Sequence, residues 1–134
     1  MISFTVYGNP VAQGRPRAFK MGNRIGMYDP KNSREWKQTV KLMAMQYRPD
    51  GLIEGPVHIN LDFFLLRPKS LPKKVQDHIK KPDIENLAKA VIDGLEGIFF
   101  KNDSQITVAV MSKNYCEGME QPRVEIWVGQ PKEV

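Results

Sequence analysis

A chain of 134 residues fits a single domain with its own hydrophobic core, and its one cysteine, Cys116, excludes an intrachain disulfide. We therefore expect one domain over residues 1–134 in the cytoplasm, and the lack of a secretion signal or of about 18 consecutive apolar residues argues against a membrane protein. The charge is uneven, since residues 1–81 hold 15 Lys and Arg against 6 Asp and Glu, whereas residues 82–134 hold 5 against 9. A basic part suits a polyanion and an acidic part suits divalent cations, although many basic chains are simply soluble.

The first elements in chain order are a strand, a basic loop and a helix. Residues 2–7 alternate apolar and polar side chains, which indicates a half-buried strand. Residues 9–32 read as a long basic loop with room for a short hairpin, and long loops of this kind are often functional. Ser33 is expected to cap a helix over residues 34–47, with Lys37 and Lys41 towards solvent or ligand. The core face of that helix is expected to be Trp36, Val40, Met43, Ala44 and Tyr47.

The second half of the chain predicts a strand, a linker, a helix and two further strands. Residues 57–66 read as a central strand covered on both faces towards its end. Residues 67–81 form a second basic linker that could contain a helical turn at residues 75–79, and a helix then runs from Pro82-Asp83 to about residue 96. Strands follow at residues 106–111 and 124–128. The order β-α-β-α-β-β predicts an α+β fold, a mixed sheet with two helices packed on one face.

The polar residues of the second helix share one narrow stripe. On a helical wheel its apolar residues occupy one arc, and the remaining arc carries Glu85, Asn86, Lys89, Asp93 and Glu96. Periodicity alone favours a solvated face with ordinary ion pairs between residues four apart. Asp83 likewise stands where a helix N-cap belongs.

Three neighbouring features indicate a metal site instead. Lys80-Lys81-Pro82 precedes the helix, Asp83 and Glu85 form an acidic pair at its start, and Asp103 stands before the next strand. Mg²⁺ prefers hard oxygen ligands, so two or three such carboxylates suffice to bind it. The residues between the helix end and Asp103 can span about 26 Å when extended, which lets Asp103 return to Asp83. A contribution from a second subunit is equally permitted.

At these residues the sequence resembles the RusA-type Holliday-junction resolvases of bacteria and their prophages. The resemblance lies in Pro82-Asp83-Ile84-Glu85-Asn86-Leu87-Ala88-Lys89-Ala90-Val91-Ile92-Asp93-Gly94-Leu95 and in Phe100-Lys101-Asn102-Asp103-Ser104-Gln105-Ile106. It implies a Mg²⁺-dependent endonuclease, in which Mn²⁺ can substitute, that works as a homodimer on branched DNA. It also implies that the catalytic residues are Asp83, Glu85, Lys89 and Asp103, that Asp83, Glu85 and Asp103 bind the metal, and that Asn86, Asp93 and Gln105 support them. Glu85 stands where the best-known member has Asp, and its extra methylene keeps an oxygen ligand but shifts its position.

The expected activity is therefore paired nicking of Holliday junctions in DNA recombination and repair. The DNA backbone would be bound by the basic segments, through Arg15, Arg17, Lys20, Arg24, Lys69, Lys73 and Lys74. Phe19 and Tyr28 could stack on unpaired bases or anchor their loop to the core. His58 and His78 lack partners at ligand spacing and do not support a zinc site.

Two rival functions remain open at this stage. One is a non-catalytic, branched-DNA-binding accessory module in recombination, in which the acids serve only as a cap and in ion pairs. The other is a general nuclease without preference for junctions. Cleavage of a synthetic four-way junction separates the first rival from a resolvase, and cleavage of linear duplex separates the second.

Overall fold

The computed structural model describes residues 1–14, 17–28 and 31–134. Two short 3₁₀ turns, Asp103–Gln105 and Pro131–Glu133, accompany the longer elements. The strands and helices in chain order are β1 (Ile2–Tyr7), β2 (Arg17–Met21), β3 (Arg24–Tyr28), α1 (Lys31–Gln46), β4 (Val57–Leu65), α2 (Ile84–Leu95), β5 (Ile106–Tyr115) and β6 (Arg123–Gly129).

Four strands form one mixed sheet in the order β1-β6-β4-β5, and β2 and β3 form a separate hairpin. β4 and β5 are parallel because α2 carries the chain back between them, whereas β6 is antiparallel to both β1 and β4. Alternate strand residues such as Phe4, Ile59 and Val124 are buried in one core with the apolar residues of α1 and α2. The predicted α+β fold, with a mixed sheet and two helices, is confirmed.

α2 is buried on two sides, by the sheet and by α1. Leu87, Val91 and Leu95 belong to the core that includes the strands. Gly94 faces α1 so closely that an added Cβ would lie 2.9 Å from Cγ1 of Val40. This contact explains why the buried part of α2 is wider than the apolar arc of the sequence, and why only the polar stripe remains accessible.

Several boundaries and contacts around α1 differ from the predictions. α1 begins at Lys31, so Ser33 lies inside the helix and does not cap it. Its buried hydroxyl instead donates to the Ala12 carbonyl and accepts from the Gly14 N–H, at 3.1 Å each. Tyr47 follows the helix and is 45% exposed, although its ring stacks on Phe4. Ser33 thus fixes the segment that leads into the β2–β3 hairpin.

Of the predictions for the two basic segments and for β4, one is confirmed and two are wrong. The short hairpin in the first basic loop is present as β2 and β3. β4 is not covered on both faces at its end, because its burial alternates there and the half-buried Phe64 lies against the guanidinium of Arg123, 3.8 Å from its ring centre. Residues 75–79 form no helical turn, and Asp77 instead makes a single bridge to Asn114 of β5. Among the described residues, no helix is long and apolar enough to span a bilayer.

Candidate nuclease site

The polar stripe of α2 lies open to solvent, as the helical wheel predicts. Glu85, Asn86 and Lys89 are exposed, whereas Asp93 and Glu96 are half-buried. The Lys89 ammonium lies 3.8 Å from the Asp93 carboxylate, one helical turn along. An exposed pair of this kind adds little stability, so the lysine can exchange this partner for a ligand anion without large cost.

Asp83 occupies the N-cap position of α2 but does not use its side chain as a cap. Its backbone is extended and its carboxylate makes no hydrogen bond to the helix N–H groups. The nearest partner of that carboxylate is the Lys81 ammonium, at 3.4 Å, and both side chains are largely exposed. The prediction that the Asp83 side chain caps the helix is therefore wrong. Its carboxylate is accessible to a ligand beside the N-terminus of α2, where the first N–H groups of the helix have no partner within the helix.

Lys113 of β5 holds the backbone just before α2. Its ammonium donates to the carbonyls of Lys80 at 2.7 Å and Pro82 at 2.9 Å. Hydrogen bonds from a charged donor are stronger than those between neutral groups, so this lysine fixes the position from which Asp83 projects. Sequence reasoning missed Lys113, because it lies beyond the predicted strand 106–111 and belongs to no local motif.

Asp103 begins a 3₁₀ turn that its neighbours hold by side-chain hydrogen bonds. The Asn102 side chain accepts from the Ser104 N–H at 2.9 Å. The Gln105 carboxamide accepts from the N–H groups of Lys101 and Asn102, and donates to the carbonyls of Ile53 at 2.8 Å and Gly55 at 3.0 Å. The structure thus places Gln105 as the support of the turn that presents Asp103.

Asp83 and Asp103 lie at opposite ends of the domain within one chain. Lys113 bonds to Pro82 and so marks the Asp83 end of β5, whereas Asp103 precedes Ile106 at the other end. The seven steps from Ile106 to Lys113 span about 23 Å at about 3.3 Å per residue. The 12 residues of α2 cover a comparable distance, about 18 Å. Asp103 therefore does not return to Asp83 of its own chain, and one Mg²⁺ cannot bridge that distance.

The carboxylates at the start of α2 suit a hard divalent cation, but they are only part of a donor set. Asp83 and Glu85 are both exposed, and among the described residues the carboxylates of Glu85 and Asp103 have no hydrogen-bond or ion-pair partner. No group of three His, Cys, Asp or Glu side chains converges anywhere in the described part of the chain. Mg²⁺ keeps several waters and needs only a few carboxylates, so the residues fit it once a further acid joins them.

Both basic segments are attached near the start of α2. The Gln13 N–H donates to the Asn86 carbonyl at 2.9 Å, immediately before the chain enters the hairpin that carries Lys20 and Arg24, both exposed. Arg15 lies outside the described residues, as do the side chains of Arg17, Phe19 and Tyr28, although the backbones of the last three belong to β2 and β3.

The second basic segment, residues 67–81, leads through Pro82 into Asp83. Its three predicted DNA-binding residues, Lys69, Lys73 and Lys74, are exposed. The segment is fixed to the end of β5, because the His78 ring stacks on Tyr115 with ring centres 4.3 Å apart. The Arg67 guanidinium also lies over the Tyr115 ring, 5.5 Å from its centre. Each of the two basic segments is therefore connected to the start of α2, one by the Gln13–Asn86 hydrogen bond and the other by the chain itself.

The two histidines are occupied by packing contacts. His58 is 7% exposed, pairs with the Asn60 side chain at 2.7 Å and meets the edge of the Trp127 ring. Partial burial and the neighbouring Lys113 ammonium lower the pKa of His78 below its ordinary value, which favours its neutral form. Both imidazole rings are therefore held by contacts within the fold.

Comparison with known proteins gives a family and a relative for this chain. The family model described as Endodeoxyribonuclease RusA matches residues 7–129. The chain is also similar to the uncharacterized protein YqaN of Bacillus subtilis (strain 168), with 40% identity over 137 residues that cover 95% of this chain and 94% of the relative. The family match includes α2, the Asp103 turn, the β2–β3 hairpin and the sheet strands β4, β5 and β6, but only the last residue of β1.

Proposed function

The chain belongs to the RusA family of endodeoxyribonucleases, and on that premise we propose that it is a Mg²⁺-dependent nuclease that resolves Holliday junctions by paired nicking. Its role would lie in DNA recombination and repair, and a homodimer is its working form because a four-way junction offers two symmetry-related strands. The observation that carries the proposal is the exposed stripe of α2, whose acidic start lies next to two attached basic segments.

Asp83, Glu85 and Asp103 are the proposed metal ligands, with Asp103 contributed by a second subunit because it does not reach Asp83 within one chain. A bound Mg²⁺, or Mn²⁺ in its place, supplies Lewis-acid chemistry at a phosphodiester. The Asp83 carboxylate makes no capping hydrogen bond, and Glu85 follows it in the first turn of α2. The longer side chain of Glu85 reaches an oxygen ligand position from further along the helix than an Asp would.

Lys89 acts beside these acids. Its ammonium lies on the same stripe, one turn beyond Glu85, and its present partner is the carboxylate of Asp93. In the complex it would bind a phosphate oxygen and balance the charge that develops there, while Asp93 keeps the ammonium oriented between turnovers. A role for Lys89 in protonating the leaving oxygen is compatible with the same position.

The basic segments position the DNA. Lys20 and Arg24 from the hairpin, with Arg15 and Arg17, and Lys69, Lys73 and Lys74 from the second segment would contact phosphates. Such contacts set the register of the backbone but carry no sequence code. The arrangement supports binding on both sides of the start of α2, which suits a branch point more than a single straight duplex.

Cleavage of a synthetic four-way junction tests the proposal. The wild-type chain should nick the junction in Mg²⁺ or Mn²⁺ and not in EDTA, whereas Asp83→Asn and Asp103→Asn should bind the junction with near wild-type affinity and leave it uncut. Glu35→Gln, on the exposed face of α1, is the matched control and should cut normally. A wild-type chain that binds but never cuts would instead be an accessory module, and equal cleavage of linear duplex would indicate a general nuclease.

A further inference from the structure

The Lys113 ammonium bridges two backbone carbonyls on the N-terminal side of Asp83. It donates to the Lys80 carbonyl at 2.7 Å and to the Pro82 carbonyl at 2.9 Å, and the second of these bonds is partly buried. A lysine ammonium has three N–H donors, so one side chain can hold both carbonyls and close the backbone around Lys81. Partial burial strengthens such a bond, because water competes for it less than at the surface.

This bridge restrains the backbone from which the Asp83 side chain projects. The Pro82 carbonyl belongs to the same planar peptide group as the nitrogen and Cα of Asp83. On the other side, the Asp83 carbonyl accepts from the Leu87 N–H at 3.1 Å. The Asp83 carboxylate makes no capping bond, and its ion pair with Lys81 is largely exposed and therefore weak. The two restrained peptide groups therefore set the direction of the Cα–Cβ bond of Asp83.

We propose that Lys113 is a positioning residue of the nuclease site, which holds the Asp83 carboxylate in the direction that metal binding requires. The inference rests on the proposed function for the identity of Asp83 as a metal ligand, whereas the hydrogen bonds of Lys113 are independent of it. Partners behind a metal ligand typically change metal affinity about 10- to 100-fold when they are removed. Lys113 acts through the backbone, so we expect the lower end of this range, about tenfold.

The contacts of Lys113 differ from those of the lysines assigned to DNA. Lys113 is half-buried and two of its donors are bound to backbone carbonyls, whereas the proposed phosphate contacts of the second basic segment are exposed side chains. If Lys113 left both carbonyls to bind a phosphate, the partly buried Pro82 carbonyl would lose its donor, which costs free energy. A positioning role is therefore the one that these contacts favour.

Substitutions at position 113 separate the hydrogen bonds of the lysine from its charge. Lys113→Met keeps an apolar stem and removes every donor, whereas Lys113→Arg keeps the charge and N–H groups that can reach two acceptors. Lys132→Met removes the same charge from an exposed position in the turn Pro131–Glu133 and is the matched control. Circular dichroism checks that each variant folds. If Lys113→Met does not fold, Lys113→Gln replaces it, because its shorter side chain cannot reach both carbonyls.

Binding of Mn²⁺ without DNA measures the effect apart from cleavage. Electron paramagnetic resonance counts the free ion during a titration of the protein with Mn²⁺. Lys113→Met should raise the Kd for Mn²⁺ about tenfold, Lys113→Arg should recover most of this loss, and Lys132→Met should match wild type. An unchanged Kd in Lys113→Met, or an equal loss in Lys132→Met, overturns the proposal.

The Mg²⁺ dependence of junction cleavage distinguishes positioning from contact with DNA. In Lys113→Met the Mg²⁺ concentration for half-maximal rate should rise about tenfold, and saturating Mg²⁺ should restore much of the rate. Asp83→Asn lacks the ligand itself and should not be restored. Junction affinity in EDTA should stay at the wild-type value. A weaker affinity with a flatter dependence on salt would make Lys113 a phosphate contact and overturn the positioning role.

Amide hydrogen exchange tests the restraint on the backbone without metal or DNA. Lys113→Met should speed exchange of the Leu87 N–H several-fold, because its acceptor is the carbonyl of the loosened Asp83, and Lys132→Met should leave it unchanged. Equal exchange in wild type and Lys113→Met overturns the positioning. A wild-type chain that binds no Mn²⁺ and leaves the junction uncut overturns the proposed nuclease function instead, and the exchange rates still decide whether Lys113 restrains Asp83.

Discussion

Replacement of Gln105 should release the turn that presents Asp103. Gln105→Ala removes four hydrogen bonds, of which only the one to the Ile53 carbonyl is partly buried, while the other three are exposed and can be replaced by water. The buried bond contributes about 1 kcal/mol and each exposed one a few tenths, so the free energy of unfolding should fall by about 1–2 kcal/mol. Urea unfolding followed by circular dichroism measures this loss. Junction cleavage should fall several-fold, with binding nearly unchanged.

Gln105→Glu separates the two halves of this network. The substitution keeps an oxygen that can accept from the N–H groups of Lys101 and Asn102, but it sets a second carboxylate oxygen against the carbonyls of Ile53 and Gly55. At neutral pH it should destabilise the protein at least as much as Gln105→Ala, and part of the loss should be recovered near pH ~4.3, where the new carboxyl becomes protonated. Wild-type stability of Gln105→Glu at neutral pH would refute the reasoning, because the two hydrogen bonds donated to Ile53 and Gly55 would then contribute nothing to the free energy of unfolding.

Three further predictions concern packing, DNA binding and pH. Gly94→Ala should lower the free energy of unfolding by about 1 kcal/mol in urea, because the clash with Val40 outweighs the better helix propensity, and Val40→Ala in the same chain should relieve part of the loss. Replacing Lys69, Lys73 and Lys74 by Ala should weaken junction binding and flatten the plot of log affinity against log salt, and an unchanged slope would remove them from the interface. The lowered pKa of His78 means that the unfolded chain takes up a proton more readily, so stability should fall as the pH drops through 6.5, and His78→Gln should reduce that dependence in acid titrations.

Periodicity predicted the elements that carry this site well. α2 appears almost where its apolar arc placed it, and the stripe of Glu85 and Lys89 is exposed because the sheet and α1 cover the other sides. The width of the buried part could not be predicted, because the contact between Gly94 and Val40 is tertiary. A small residue gives no periodic signal of a neighbouring helix.

Local patterns failed where a side chain had a distant partner. Ser33 has the sequence position of a cap, but its hydroxyl is used by residues about twenty positions earlier, at Ala12 and Gly14. Lys113 has no local motif at all, since its function depends on how β5 meets the segment before α2. The distance limit for Asp103 was likewise only an upper bound on reach, and the direction of the chain after α2 was decided by the parallel pairing of β4 with β5.

The hydrogen bond from the Gln13 N–H to the Asn86 carbonyl joins two backbones, and this has a consequence for how cleavage positions evolve. This bond links the segment before the β2–β3 hairpin to the first turn of α2, and it uses main-chain atoms that every substitution except proline at position 13 leaves in place. In the proposed function, side chains of the hairpin could therefore change in number and charge and alter the affinity for a junction, while the main-chain link to α2 stays in place. The proposed nuclease would then determine its affinity for the junction and the position of the bond it cuts through different parts of the chain.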